Sequence, residues 1–222
     1  MKDYSMFDVV GPNMIGPSSS HTAGACRLGK VACKIAGEGI QEVTFLLHGS
    51  FAKTYRGHGT DKALVGGILG FDPDDERIRN SFEIAEKEGI HFKFIEENLG
   101  EVHANTAKIM VKKHDGSQVE VLGSSIGGGN VVIKEINGLE LEFTGEYVTL
   151  IISHIDKPGI IAKVSTILAE HNINIAFMRV YRHGKGEKAF MIIETDDDII
   201  SNVIDDLKHV TDVANAYLVS IK

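Results

Sequence analysis

Val148-Thr149-Leu150-Ile151-Ile152-Ser153-His154-Ile155 runs into Asp156-Lys157-Pro158-Gly159, after which Ile160, Val164, Ile167 and Leu168 recur at helical spacing. The opening run is apolar and rich in β-branched residues, which predicts a strand. Asp-Lys-Pro-Gly predicts a turn. The spacing that follows predicts an amphipathic helix reaching about Glu170, and His171-Asn172 ends it. Beyond it, Ile173–Tyr181 reads as a second strand, Gly184-Lys185-Gly186 as a turn and Ala189–Glu194 as a third strand. Ile200, Val203, Ile204 and Leu207 mark a second helix, and Ala214–Ile221 a last strand. The order βαββαβ within about 75 residues is the ferredoxin-like split βαβ pattern, with both helices on one face of the sheet.

Upstream the texture changes. Residues 1–147 hold most of the glycine and most of the unusual polar motifs, so the chain reads as two domains, 1–147 and 148–222. The first is α+β and less regular. Val43, Phe45 and Leu47 alternate as in a strand that ends at His48-Gly49-Ser50. Ile78, Phe82 and Ala85 suit a helix, with Asp72 as N-cap, Pro73 in the first turn and Gly89 at the stop. Phe92 and Phe94 suggest another strand. Asp115-Gly116 and Asn137-Gly138, each between apolar runs, are hairpin signals.

The whole chain has 222 residues, 43% hydrophobic and 24% charged, which suits a folded globular protein. A net charge of −8 with dispersed acidic residues speaks against nucleic acid as a partner, since phosphate binding needs a basic face. No apolar run approaches the roughly 20 residues of a membrane span. Met1–Val10 carries Lys2, Asp3 and Asp8, unlike a signal peptide, so a cytoplasmic location is expected. Cys26 and Cys33 are the only cysteines. They lie about two turns apart on one helix face and read as small core residues. No complete metal site is expected in this chain, because a cluster usually takes about four ligands, mostly thiolates.

Five short motifs stand out. Gly16-Pro17-Ser18-Ser19-Ser20-His21-Thr22 precedes a small-residue helix to about Ala36. Hydroxyls, an imidazole and the free N–H groups of a helix start make a natural anion site. In the plainer reading Ser19 or Ser20 only caps the helix. Gly57-His58-Gly59-Thr60-Asp61 opens another helix. There His58 is either a general base or a solvated loop histidine. His103-Ala104-Asn105-Thr106 starts a strand, and its polar side chains suit a turn or a ligand contact. Ser125-Ile126-Gly127-Gly128-Gly129-Asn130 is an anion-binding nest or a simple strand connection. It lacks the spacing of a dinucleotide fingerprint or a P-loop. In His154–Ile160, Gly159 at the helix start suits an α-carboxylate and Asp156 an α-ammonium.

Together, in this order, Gly16–Thr22, Gly57–Asp61, His103/Asn105 and Ser125–Gly129 resemble the iron–sulfur-dependent L-serine dehydratases, in particular the beta subunit of the two-chain form. The resemblance covers essentially the whole chain. It implies an α+β domain like the allosteric-substrate-binding domain of phosphoglycerate dehydrogenase, followed by a ferredoxin-like ACT domain. It also implies deamination of L-serine to pyruvate and ammonia with a [4Fe–4S] cluster whose ligands come from the alpha subunit. By that resemblance His58 and His21 are the catalytic candidates. Ser18, Ser19, Ser20, Thr22, Thr60, Asp61 and Asn105 are the substrate-binding candidates. His154, Asp156, Gly159, Ile160 and Asn174 would take an amino-acid effector, and the ACT domains would pair into a homodimer. The sensing loop of phosphoglycerate dehydrogenase has an asparagine where this chain has Asp156. The other role the resemblance leaves open is a regulatory subunit that senses an amino acid without taking part in catalysis.

Overall fold

A computed structural model describes residues 12–144, 147–196, 199 and 201–220. The Met1–Val10 stretch, Ile200 and Ile221, all used above, lie outside the described residues. The chain divides into two compact units that part between Gly138 and Leu139.

The first unit is built on strands β1 (Ile40–Leu47), β2 (His91–Glu96), β3 (Thr106–Lys113), β4 (Gln118–Gly127) and β5 (Asn130–Ile136), in the order β2-β1-β3-β4-β5. β1 and β2 are parallel, and the other neighbours are antiparallel. In β1, Val43, Phe45 and Leu47 are buried while their neighbours are half-buried, so period-2 alternation gives the sheet one core face. A π-helical turn (Ser19–Ala23) leads into α1 (Gly24–Ala36). Further helices are α2 (Gly49–Thr54), α3 (Thr60–Ile68) and α4 (Ser81–Lys87). α1 packs on β4, and α3 packs on α1.

The α1–α3 crossing explains the small residues of both helices. A Cβ on Gly29 would stand 2.3 Å from the Leu64 carbonyl oxygen. One on Gly67 would stand 2.1 Å from that of Cys26 and 2.8 Å from Gly29 Cα. Only glycine at both positions permits this approach. Cys26 is fully buried and Cys33 half-buried, which fits their reading as core residues.

The expected helix around Ile78 starts later than its sequence suggests. A 3₁₀ turn (Glu76–Asn80) precedes α4, and Asp75 caps it, its carboxylate accepting from Arg77 N at 2.9 Å. Asp72 instead pairs with Lys30 of α1. A tertiary partner thus outcompetes a local cap, and Asp75 takes that place.

In the second unit β6 (Leu139–Phe143) precedes a four-stranded antiparallel sheet of order β10-β7-β9-β8. Its strands are β7 (Val148–Ile155), β8 (Ile175–Arg182), β9 (Lys188–Thr195) and β10 (Val213–Val219). With α5 (Ile160–Glu170) and α6 (Ser201–Lys208), the order from β7 onward is the expected βαββαβ. Leu150, Ile152, Val164, Leu168, Met191, Ile193, Val203 and Leu207 form one buried cluster between sheet and helices. β8 begins at Ile175, so Asn172, at φ 57, and Asn174 lie in the preceding turn.

Candidate functional site

The Gly16–Thr22 motif folds onto a helix start. Ser18 is the cap: its backbone is extended, and its hydroxyl accepts the His21 N–H at 3.2 Å. The first turn is π rather than α, a geometry common at functional sites, and here His21 and Thr22 are both buried. Gly16, at φ 150, lies so close to Thr22 that a Cβ would stand 2.4 Å from its hydroxyl oxygen.

Both ring nitrogens of His21 meet serine hydroxyls. Nδ1 is 3.0 Å from Ser20 Oγ, and Nε2 is 3.0 Å from Ser50 Oγ. Ser18 Oγ lies 3.4 Å from Ser20 Oγ. The ring meets Phe51 and His58 edge-on, with centroids 5.3 and 4.8 Å away. Thr22 Oγ1 donates to the His58 carbonyl oxygen at 3.2 Å, tying the two motifs together. Burial, and secondarily the neighbouring His58, hold His21 below the usual imidazole range, so it is neutral at neutral pH.

His58 differs from His21. Its Nδ1 is buried and has no hydrogen-bond partner among the described residues. The same holds for Thr60 Oγ1, two residues on, in a fully buried side chain. A buried polar atom left unpaired costs about 1–3 kcal/mol, so each of these atoms calls for a partner such as a water, an ion or a ligand. Gly59, at φ 67, is the left-handed residue before α3, whereas Gly57 has no positive φ. Burial pushes the Asp61 carboxyl up, against the pull of the Lys62 amide it accepts from at 2.8 Å. A cleft of about 400 Å³ opens beside His58, lined in part by Gly16, Pro17, Arg56, Asp61 and Lys62.

Ser18, Ser20, His21, Thr22 and His58 therefore form one group. Ser19 contributes its carbonyl, which accepts from Gly24 N. Asn105 joins at one remove. Its carbonyl accepts Ser125 N at 2.9 Å, while the neighbouring Ala104 carbonyl accepts Ser50 N at 2.7 Å. His103 Nδ1 accepts Asn105 N at 3.1 Å, which closes the turn. Ser125 is fully buried, and its hydroxyl has no partner among the described residues.

Sequence reasoning missed Ser50. The His48-Gly49-Ser50 stretch reads only as the end of β1. Gly49 at φ 57 is the local signal, because a Cβ there would stand 2.7 Å from the Ala104 carbonyl oxygen. The partner that gives Ser50 its place lies 29 residues earlier, and nothing local reveals it.

The described residues do not fit an iron–sulfur cluster. No group of three or more His, Cys, Asp or Glu side chains is placed to hold a metal among them. The buried Cys26 thiol donates to the Phe71 carbonyl at 3.3 Å.

In the second unit, Gly159 (φ 88) caps α5 and Ile160 is buried. His154 is buried, with Nδ1 3.0 Å from the Ile155 carbonyl oxygen and Nε2 without a partner among the described residues. The Asp156 carboxylate is paired with Arg182 at 2.8 Å, which holds it below the usual carboxylate range. Exposed Asn174 donates to Asp196 at 3.2 Å.

Residues 5–136 match the family described as serine dehydratase beta chain, and residues 148–210 match the ACT domain. The chain is 46% identical to a probable L-serine dehydratase beta chain of Bacillus subtilis, over 96% of each protein. It is 45% identical to the L-serine dehydratase beta chain of Peptoniphilus asaccharolyticus, over 91% of this chain and 92% of that one. A D-3-phosphoglycerate dehydrogenase of Bacillus subtilis is 28% identical over 89% of this chain, which spans 37% of that enzyme.

Proposed function

Because this chain belongs to the serine dehydratase beta chain family and ends in an ACT domain, we propose that it is the beta subunit of a two-chain L-serine dehydratase. With an alpha subunit in the cytoplasm, it removes the α-proton and β-hydroxyl of L-serine. The aminoacrylate so formed hydrolyses to pyruvate and ammonia. The [4Fe–4S] cluster belongs to the alpha subunit in this reading, since the described residues of this chain do not fit one.

One observation carries the reading: two imidazoles from distant motifs meet edge to face beside a cleft, and only one has both nitrogens visibly occupied. His21 is neutral and held at both nitrogens, which suits orientation. His58 faces the cleft and is the group to accept the α-proton. The helix start at Ser18–Thr22 suits the substrate carboxylate through its N–H groups and hydroxyls. Thr60, Asp61 and Asn105 complete the substrate side, and Asp61 suits the ammonium once ionised.

The second domain, residues 148–222, would take an amino acid at His154, Asp156, Gly159, Ile160 and Asn174. Asp156 then exchanges part of its pairing with Arg182 for an α-ammonium. Edge strand β8, with Phe177 half exposed, would pair with a second copy.

The test is His58→Ala in the complex rebuilt anaerobically with the alpha subunit. A general base contributes about 10²–10⁴-fold, so pyruvate formation should fall by about that factor. Near-normal turnover would remove His58 from the chemistry. Full activity of the alpha subunit alone would leave this chain a purely regulatory role.

A further inference from the structure

Ser50 enters the reading above only as a contact of His21, yet it is held more tightly than a surface serine requires. Its amide donates to the Ala104 carbonyl at 2.7 Å, and its carbonyl accepts the Thr54 hydroxyl at 2.8 Å. Gly49 brings the chain against Ala104 so that these bonds form. The result is a hydroxyl fixed 3.0 Å from His21 Nε2.

A hydroxyl donates one hydrogen bond and accepts up to two, so these contacts fit two chains of opposite direction. Ser18 Oγ already accepts the His21 N–H, so its own proton is available to Ser20 Oγ, 3.4 Å away. In one chain Ser20 gives its proton to His21 Nδ1; in the other Nδ1 donates to Ser20 and the Ser50 hydroxyl donates to Nε2. A neutral imidazole has one donor and one acceptor nitrogen. With Nδ1 accepting, as in the first chain, Nε2 carries the ring proton and donates to Ser50.

We infer that the first chain holds and that Ser50 is a positioning residue of the dehydration site: its hydroxyl accepts the His21 ring proton, fixes that imidazole in the Nε2–H form and holds its edge against His58. The inference rests on the dehydratase reading for its effect on turnover, but not for the bond itself. His21 in the other tautomer, or rotated, would no longer support His58 in place. Small misplacements of reacting groups cost about 10²-fold in rate.

The test uses Ser50→Ala and Ser50→Thr in the two-chain complex, with histidine in this chain labelled with nitrogen-15. Wild-type His21 should show the Nε2–H pattern of shifts. Ser50→Ala should lose it and lower kcat by about 100-fold with KM little changed. Ser50→Thr keeps a hydroxyl and should restore both the shifts and most of kcat. An Nδ1–H pattern in the wild type would overturn the inference. So would wild-type shifts and kcat in Ser50→Ala. If the wild-type complex forms no pyruvate, the dehydratase reading fails, and the nitrogen shifts alone decide whether Ser50 fixes His21.

Discussion

His21 is an imidazole kept from its proton first by burial and then by His58. The unfolded chain protonates this ring near pH ~6.5, while the folded chain does so only at lower pH. As pH falls below that value the unfolded state binds more protons, so folding stability declines until the folded ring also titrates. The carboxylates held low by their partners, Asp75, Asp115 and Asp156, act at more acidic pH, below their unfolded values near ~4. Urea midpoints measured between about pH 7 and pH 5 should therefore fall, and His21→Gln should flatten that slope. A slope unchanged by the substitution would show that other groups govern this window. Cys26 gives a second residue-scale prediction. Burial pushes its thiol up to about 12, and only the thiolate attacks. An aromatic disulfide reagent should leave Cys26 untouched in native protein at neutral pH and modify both cysteines in guanidinium. Fast native labelling of Cys26 would contradict the buried placement.

The crossing of α1 and α3 positions the site, because the π turn with His21 leads into α1 and His58 stands just before α3. Gly29 and Gly67 set how closely these helices approach. Gly67→Ala would push a methyl into the Cys26 carbonyl and the Lys30 amide. Overpacking against backbone costs about 1–3 kcal/mol, so the urea midpoint should drop, and turnover should drop with it as the histidines separate. Gly57→Ala meets nothing closer than 3.7 Å, at the Thr54 carbonyl oxygen, and needs no positive φ. Its stability should stay within about 0.5 kcal/mol of wild type. Equal losses for the two variants would mean that helix packing does not set the crossing. The motif GHGTD suggests that both glycines serve backbone approach. Only Gly59, the left-handed residue before α3, is required by conformation.

At the scale of the whole chain, the unit that holds the candidate site is followed by an ACT domain, proposed above to take an amino acid. An amino acid binding the second domain should raise the thermal midpoint of the intact chain, since ligand at 100 times its Kd adds about 2.7 kcal/mol. A calorimetric screen of amino acids should find one that does so, and Asp156→Ala should lose the shift. A shift retained in that variant would remove Asp156 from recognition. Equilibrium sedimentation should show a dimer that Phe177→Glu weakens, and a strict monomer would rule out pairing through β8. Much of this was legible in the sequence. Period-2 and helical spacing between Val148 and Val219 fix βαββαβ, because burial of one face imposes those periods on any chain. GPSSSHT and GHGTD mark helix starts, because hydroxyls and glycines meet local backbone demands there. Tertiary structure decided what local chemistry leaves degenerate. Asp72 reads as a cap, but Lys30 of α1 claims it, and Asp75 caps the turn instead. Ser50 looks like any turn serine until the fold brings His21 to it across 29 residues. Caps and periodicities are satisfied within a few residues of chain, whereas the pairing of two imidazoles and the hydroxyls around them exists only after distant segments pack.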